Sequence, residues 1–173
     1  MPRFLLQFLA ILCTLFSLQI WQPVRQSMVM PYTESLASLS ASIIRPFDQN
    51  VANAGRVLQN TASGFGVSIE SGCNGVEAAI FLIAAIFAFR APWPHKLAGA
   101  AAGVCTIQLL NLVRIISLFY LGQWNRALFE WAHLYLWQVL IMVDVLAVWL
   151  LWLRWVPDGN SPRVCEQLVV APT

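Results

Sequence analysis

Four apolar stretches, each bounded at one end by a basic residue, set the limits on what this chain can fold into. The first is "FLLQFLAILCTLFSLQIW", residues 4–21, behind Arg3. The second covers residues 75–89 and stops at Arg90. The third follows "APWPHK", starting at Leu97 and running to about Leu121. The fourth extends from Leu134 to Leu153 and stops at Arg154. A helix crosses the hydrocarbon core of a bilayer with about 20 residues, and about 17 suffice. The second stretch is short, but Arg90 can snorkel and extend it. Composition agrees, because 59% of the chain is hydrophobic and only 10% is charged. A soluble domain carries about a quarter charged residues, so a water-exposed surface could not be covered. The expectation is an all-α, polytopic membrane protein in a lipid bilayer. It has about four transmembrane helices (4–21, 75–90, 97–121 and 134–153), one extracytoplasmic loop region (22–72) and a single membrane domain over residues 1–155.

The basic residues also orient the chain. Arg3, Arg90, Lys96 and Arg154 fall on one side if all four segments span, and positive charge in short flanks marks the cytoplasm. Both termini are then cytoplasmic. The outer loop sets Arg25, Arg45 and Arg56 against Glu34, Asp48 and Glu70, so it carries no net charge. Its Ser, Asn, Gln and Thr residues alternate with scattered aliphatics, which predicts one or two amphipathic helices on the outer surface. The first segment resembles a signal peptide, but it exceeds a typical h-region and no clean small-x-small site follows closely, so an uncleaved helix is expected. Residues 156–173 have Pro and Gly early and no helical period, which predicts a loose cytoplasmic tail. The net charge of +2, with no basic patch, argues against nucleic acid.

The four cysteines (13, 73, 105 and 165) form no CxxC pair and match no zinc pattern. No metal or organic cofactor is implied. Cys13 and Cys105 lie within apolar segments, and Cys165 lies in the reducing cytoplasm. Cys73 alone is expected on the oxidising side, as a free thiol.

Depth in the bilayer brings Cys73 together with two further residues. Cys73 lies 17 residues before Arg90, roughly 26 Å along a helix. Arg114 lies 17 residues after Leu97 and so reaches the same height. His133 lies 21 residues before Arg154, roughly 32 Å from the inner boundary. Three segments thus deliver a thiol, a guanidinium and an imidazole to one level near the outer face. His95, the other histidine, falls on the opposite side.

Each residue also has a plainer reading. Cys73 is either a small buried residue ahead of a helix or a nucleophile. Asn74 resembles an N-cap with Glu77 completing an Asn-x-x-Glu box, and the helix dipole would then favour the thiolate. Gly72 and Gly75 permit a tight turn and a close approach of another segment. Arg114 either snorkels to phosphates or faces a cavity. The apolar run Ile115 to Leu121 beyond it favours the cavity, and Gln108 and Asn111 make that face polar. Glu130 either orients His133 one helical turn away or pairs with Arg126, leaving His133 an interfacial residue. Asp144, at mid-membrane, is expected in a helix–helix hydrogen bond, with Gln108 a candidate partner.

A thiolate attacks a carbonyl carbon and leaves a thioester that an amine or water resolves. A histidine can protonate the departing amine and then deprotonate the incoming nucleophile. An arginine can stabilise the thiolate or the oxyanion. Cys73, Arg114 and His133 therefore suit acyl transfer from a peptide bond. Their order and spacing resemble the exosortase/archaeosortase family, through "SGCNG" before one helix, "NLVR" in the next and "FEWAH" before the last, over about residues 70–155. The short length and four-helix layout are similar to the exosortase H type.

The resemblance implies a cysteine transpeptidase of the bacterial inner membrane, with its active site facing outward. Its substrates would be exported proteins carrying a C-terminal sorting signal of short motif, transmembrane helix and basic cluster, passed to an acceptor nucleophile that the sequence does not identify. It implies Cys73 as nucleophile, Arg114 as the positively charged partner and His133 as the acid/base. Larger family members carry additional amino-terminal helices, whereas this chain has one helix and a polar loop there. The competing readings are a membrane scaffold that binds partner helices, and a cysteine protease that only hydrolyses the signal.

Overall fold

A computed structural model describes residues 2–156. Helix α1 (Pro2–Ile20) is followed by a short helix α2 (Gln22–Val24), a π-helical turn (Arg25–Val29) and α3 (Met30–Ile44). Three strands come next: β1 (Val51–Ala54), β2 (Val57–Asn60) and β3 (Gly66–Ser68). Then follow α4 (Val76–Ala88), α5 (Trp93–Trp124), α6 (Arg126–Trp131), a second π turn (Ala132–Leu136) and α7 (Trp137–Trp155). The expected tail lies outside the described residues, apart from Val156.

The protein is a polytopic, predominantly helical membrane protein. Among the described residues, three stretches are long and apolar enough to cross a bilayer: Arg3–Ile20, Trp93–Trp124 and Arg126–Trp155. The second expected span, residues 75–90, is shorter than its apolar sequence suggested. Helix α4 has 13 residues, about 20 Å of rise. It ends at Phe89, which is extended (φ −76°, ψ 145°). Pro92 caps the next helix, and a proline disfavours helical geometry in the residue before it. α4 is enclosed by α1, α5 and α7 and buries Ala78, Leu82, Ala84 and Ile86. Close contacts at glycines draw the helices together. A methyl group at Gly103 would collide with Leu82, and one at Gly99 with Trp152. The Trp152 indole donates to the His95 carbonyl at 3.0 Å, closing the end of the bundle that carries Arg90 and Lys96.

Helix α5 is longer than expected, at 32 residues, about 48 Å. Its far end stands in a second core. Ile115 and Phe119 pack there with Ala37, Ala41 and Ile44 of α3 and with Val51 and Leu58 of the sheet. The apolar run after Arg114 is therefore covered by the 22–72 segment.

That segment contains an amphipathic helix, as expected, and also a sheet that was not. The strands are antiparallel in the order β1-β2-β3. β1 and β2 are joined through Gly55 and Arg56, with Ala54 opposite Val57. Gly55 has φ +56° at the position where a two-residue II′ hairpin takes glycine. The sheet is pinned to the neighbouring chain by the Arg56–Glu70 ion pair at 3.0 Å and by Asn60 donating to Asp48 at 2.9 Å.

Candidate active site

Cys73 sits in the link, residues 70–75, between Ile69 and the start of α4, held by its N–H donating to the Glu70 carbonyl at 2.9 Å. The glycines on either side shape this link. Gly72 has φ +88° and Gly75 has φ +74°, conformations open to glycine at little cost. Gly75 is constrained twice, because a Cβ there would lie 2.9 Å from Gln108 Oε1 and 3.2 Å from Asn111 Cγ on α5. Gln108 Nε2 donates to the Gly75 carbonyl at 3.3 Å, so α5 holds the link directly.

The structure brings the three predicted residues together. Arg114 Nη2 donates toward Cys73 Sγ at 3.6 Å and Nη1 toward the Gly72 carbonyl at 3.5 Å. His133 Nε2 lies 3.9 Å from Cys73 Sγ. Arg114 is only 2% exposed, so its charge is spent inside the protein and not on the lipid surface. His133 occupies the π turn Ala132–Leu136, a local widening that occurs often at functional sites. Its ring lies parallel to that of Phe129, with an interplanar angle of 1° and centroids 5.7 Å apart. Phe129 in turn meets Phe65 edge-on. Phe65, from the β2–β3 turn, presses on α5 at Gly122, where a methyl group would collide with its ring. The small sheet thus braces the histidine through two aromatic rings. Sequence reasoning missed both phenylalanines. Phe129 was legible as the residue one turn before His133, whereas Phe65 is visible only through the fold.

Several supporting assignments need correction. Asn74 is not the N-cap of α4; that position belongs to Gly75. Asn74 is fully buried, accepts from the Val76 N–H at 3.1 Å and donates to Thr33 Oγ1 at 3.2 Å. It ties the link to α3. Glu77 does not complete a capping box with Asn74, because its Oε1 accepts from the Gly72 N–H at 3.0 Å and from Gln19 Nε2 of α1 at 2.7 Å. Glu130 does not reach His133; it pairs with Arg126 at 3.3 Å on the exposed side of the helix. Asp144 does not bond to Gln108. With Asn111, Arg114 and Trp137 it lines a cavity of about 10 Å³, room for about one water. Asn111 is 2% exposed, and neither of its amide atoms has a partner among the described residues.

The thiol also departs from expectation. Burial pushes Cys73 up from its usual ionisation range, and Arg114 pulls it back down. Glu77 and Glu70 add to the rise. The helix dipole does not dominate, because α4 begins three residues later and the dipole's influence fades within a turn. The resting group is a thiol with a base at 3.9 Å. Among the described residues, no three His, Cys, Asp or Glu side chains gather to hold a metal ion.

A family model described as transmembrane exosortase (Exosortase_EpsH) matches residues 1–151. No curated protein and no solved structure matches the chain.

Proposed function

This chain belongs to the transmembrane exosortase family, and on that premise we propose that it is a membrane-embedded cysteine transpeptidase acting on the C-terminal sorting signals of exported proteins. The observation that carries the reading is the approach of Arg114 Nη2 and His133 Nε2 to Cys73 Sγ, at 3.6 and 3.9 Å, from three separate elements.

The chemistry follows from these contacts. His133 Nε2 takes the thiol proton as Sγ attacks the scissile carbonyl, turning a poor nucleophile into a good one. The negative charge moves from sulfur to the carbonyl oxygen. Arg114, buried and aimed at the same point, offsets that charge in a region of low dielectric. The imidazolium then returns its proton to the departing amine. An acyl thioester remains on Cys73 and the signal peptide leaves. A second nucleophile, deprotonated by His133, attacks the thioester and restores the thiol. If the acceptor is an amine, the reaction is transfer; if it is water, hydrolysis.

Orientation supports the same reading. In the element order Arg3 lies at the start of α1, Arg90 and Lys96 at the join of α4 and α5, and Arg154 at the end of α7, whereas Cys73 precedes α4. Placed by the positive-inside rule, the protein has cytoplasmic termini in a bacterial inner membrane, with the thiol facing outward. A substrate helix with a basic C-terminal cluster would stand in the bilayer in register with it, with its cleavage motif at the height of Cys73.

The test is mass spectrometry of a candidate substrate co-expressed with the protein. Wild type should shorten the substrate at its motif, while Cys73→Ala, Arg114→Ala and His133→Ala accumulate the full-length form. A new C-terminus bearing an added amine identifies transfer, and a free carboxylate identifies hydrolysis. Normal processing by Cys73→Ala would eliminate the covalent mechanism and favour a scaffold.

A further inference from the structure

A trough of about 370 Å³ lies between α1, α4 and α7 and reaches Gly72, the residue before the thiol. Its floor is the Ala78 and Ala85 face of α4, and Phe16 and Met142 stand on its two walls. From Gln138 to Trp149 on α7 it extends 11 residues, about 16 Å along the helix. Nearly all of it is apolar, but one end is not. Gly72 and Glu77 close that end. A second cleft of about 300 Å³ starts at the same Glu77 and continues past Gln19, Ser71 and Arg25.

At this junction two acceptors are unsatisfied. Glu77 Oε1 is occupied by Gly72 and Gln19, but among the described residues Glu77 Oε2 is buried without a partner, and so is Gln19 Oε1. Leaving buried acceptors unpaired is costly. Both side chains line the second cleft where it meets the trough at Glu77, and a turn of either side chain toward that junction would offer its acceptor to a ligand that brings N–H donors and positive charge into an apolar setting.

We infer that the trough receives the transmembrane helix of the sorting signal, and that Glu77 Oε2 and Gln19 Oε1 cap that helix by accepting from the unpaired N–H groups of its first turn. The inference rests on the transpeptidase reading, which sets the substrate helix with its basic end inward and its N-terminus at the level of Cys73. The first four N–H groups of any helix lack intrahelical partners and carry the positive end of its dipole. Within a bilayer no water replaces those partners, so a carboxylate at the mouth of the trough supplies what the substrate lacks. Ala78 and Ala85 let a second helix backbone approach closely. A lipid tail would fill the apolar part but would bring an anionic phosphate against Glu77. Capping also sets the cleavage point. The carboxylate that meets the substrate helix holds the Gly72 N–H, so the residues just ahead of that helix lie over the adjoining thiol. Donors arriving at Glu77 also offset one of the charges that keep Cys73 protonated, linking docking to activation.

The experiment uses the full-length protein in vesicles, with Cys73→Ala to block chemistry and a photo-reactive benzoylphenylalanine at Met142 or, as control, at exposed Val113. The probes are two peptides, each of about 20 Leu and Ala residues ending in a Lys-Arg cluster. One begins with Leu; the other begins with Asp, which caps its own helix. The Leu peptide should cross-link at position 142 and not at 113. Glu77→Gln, which keeps the Oε1 contacts but turns the free acceptor into a donor, should raise its half-saturation about tenfold, a 1.4 kcal/mol effect. The Asp peptide should respond much less to that substitution. Equal cross-linking at 142 and 113, cross-linking to lipid alone, or equal binding of the Leu peptide to wild type and Glu77→Gln would each overturn the inference. Binding is read without turnover, so the two claims fail separately. Loss of docking at 142 while the wild-type protein still processes substrate in the co-expression assay removes the trough, and docking at 142 while wild type forms no thioester and processes nothing removes the transpeptidase.

Discussion

Cys73 is held protonated by burial and by two nearby carboxylates, against the pull of Arg114. A thiol whose ionisation is pushed upward reacts faster as pH rises, because only the thiolate is nucleophilic. Alkylation of Cys73 by a small maleimide should therefore keep rising beyond the pH at which an ordinary exposed thiol (pKa about 8.5) levels off. Arg114→Gln removes the one influence acting in the other direction, so labelling at pH 7 should slow several-fold; unchanged labelling would mean that the guanidinium does not act on the sulfur. Asn111 makes a different point. Its unpartnered amide faces the small cavity it shares with Arg114 and Asp144. Asn111→Leu should raise thermal stability by about 1 kcal/mol, since an unsatisfied buried group is removed, while substrate processing falls as the polar space beside Arg114 closes. Retained processing would reduce that space to a packing defect. Cys73, Arg114 and His133 were legible one by one, because ionisable or reactive groups near the ends of apolar segments stand out. Their partners were not. Glu77 lies where a capping box would use it, yet it turns to Gly72 and to Gln19 on a helix 58 residues away in sequence.

Among the elements, the link before α4 and the π turn after α6 do the positioning. Gly75 combines a left-handed backbone with contact to Gln108 and Asn111. Gly75→Ala should cost about 1–2 kcal/mol from the backbone alone, and more if Gln108 is displaced. Unfolding in detergent measures the stability, and Cys73 labelling measures whether the thiol has shifted. An unaltered melting temperature would show that the link relaxes freely. The π turn was invisible in "FEWAHLYLW", since nothing in a run of good helix formers announces one extra residue per turn. The sheet left a faint signal: Val57 and its neighbours alternate in burial across a two-residue turn at Gly55. Strands of three and four residues are too short for that alternation to stand apart from loop sequence. They are stable here because α3 and the end of α5 cover them.

For the whole molecule, orientation is the main prediction. If the positive-inside rule holds, a membrane-impermeant maleimide applied to intact spheroplasts labels a cysteine placed at Ser63, in the β2–β3 turn, and fails to label one placed at Ala91 until the membrane is opened. The reverse pattern would put the site in the cytoplasm and remove any exported substrate. The amino-acid sequence by itself determined that this chain lives in a membrane, how many apolar helices it has, and that a thiol, a guanidinium and an imidazole lie at one depth. Those properties depend on hydrophobic length and on rise per residue, which are local. Only the tertiary structure decided how the three groups face one another, that the outer segment folds over the end of α5, and that an apolar trough ends at Gly72 and Glu77, close to the thiol in the chain. Each of these depends on the rotation of a helix about its own axis and on contacts between residues far apart in the chain, and neither quantity is encoded in the spacing along a single segment.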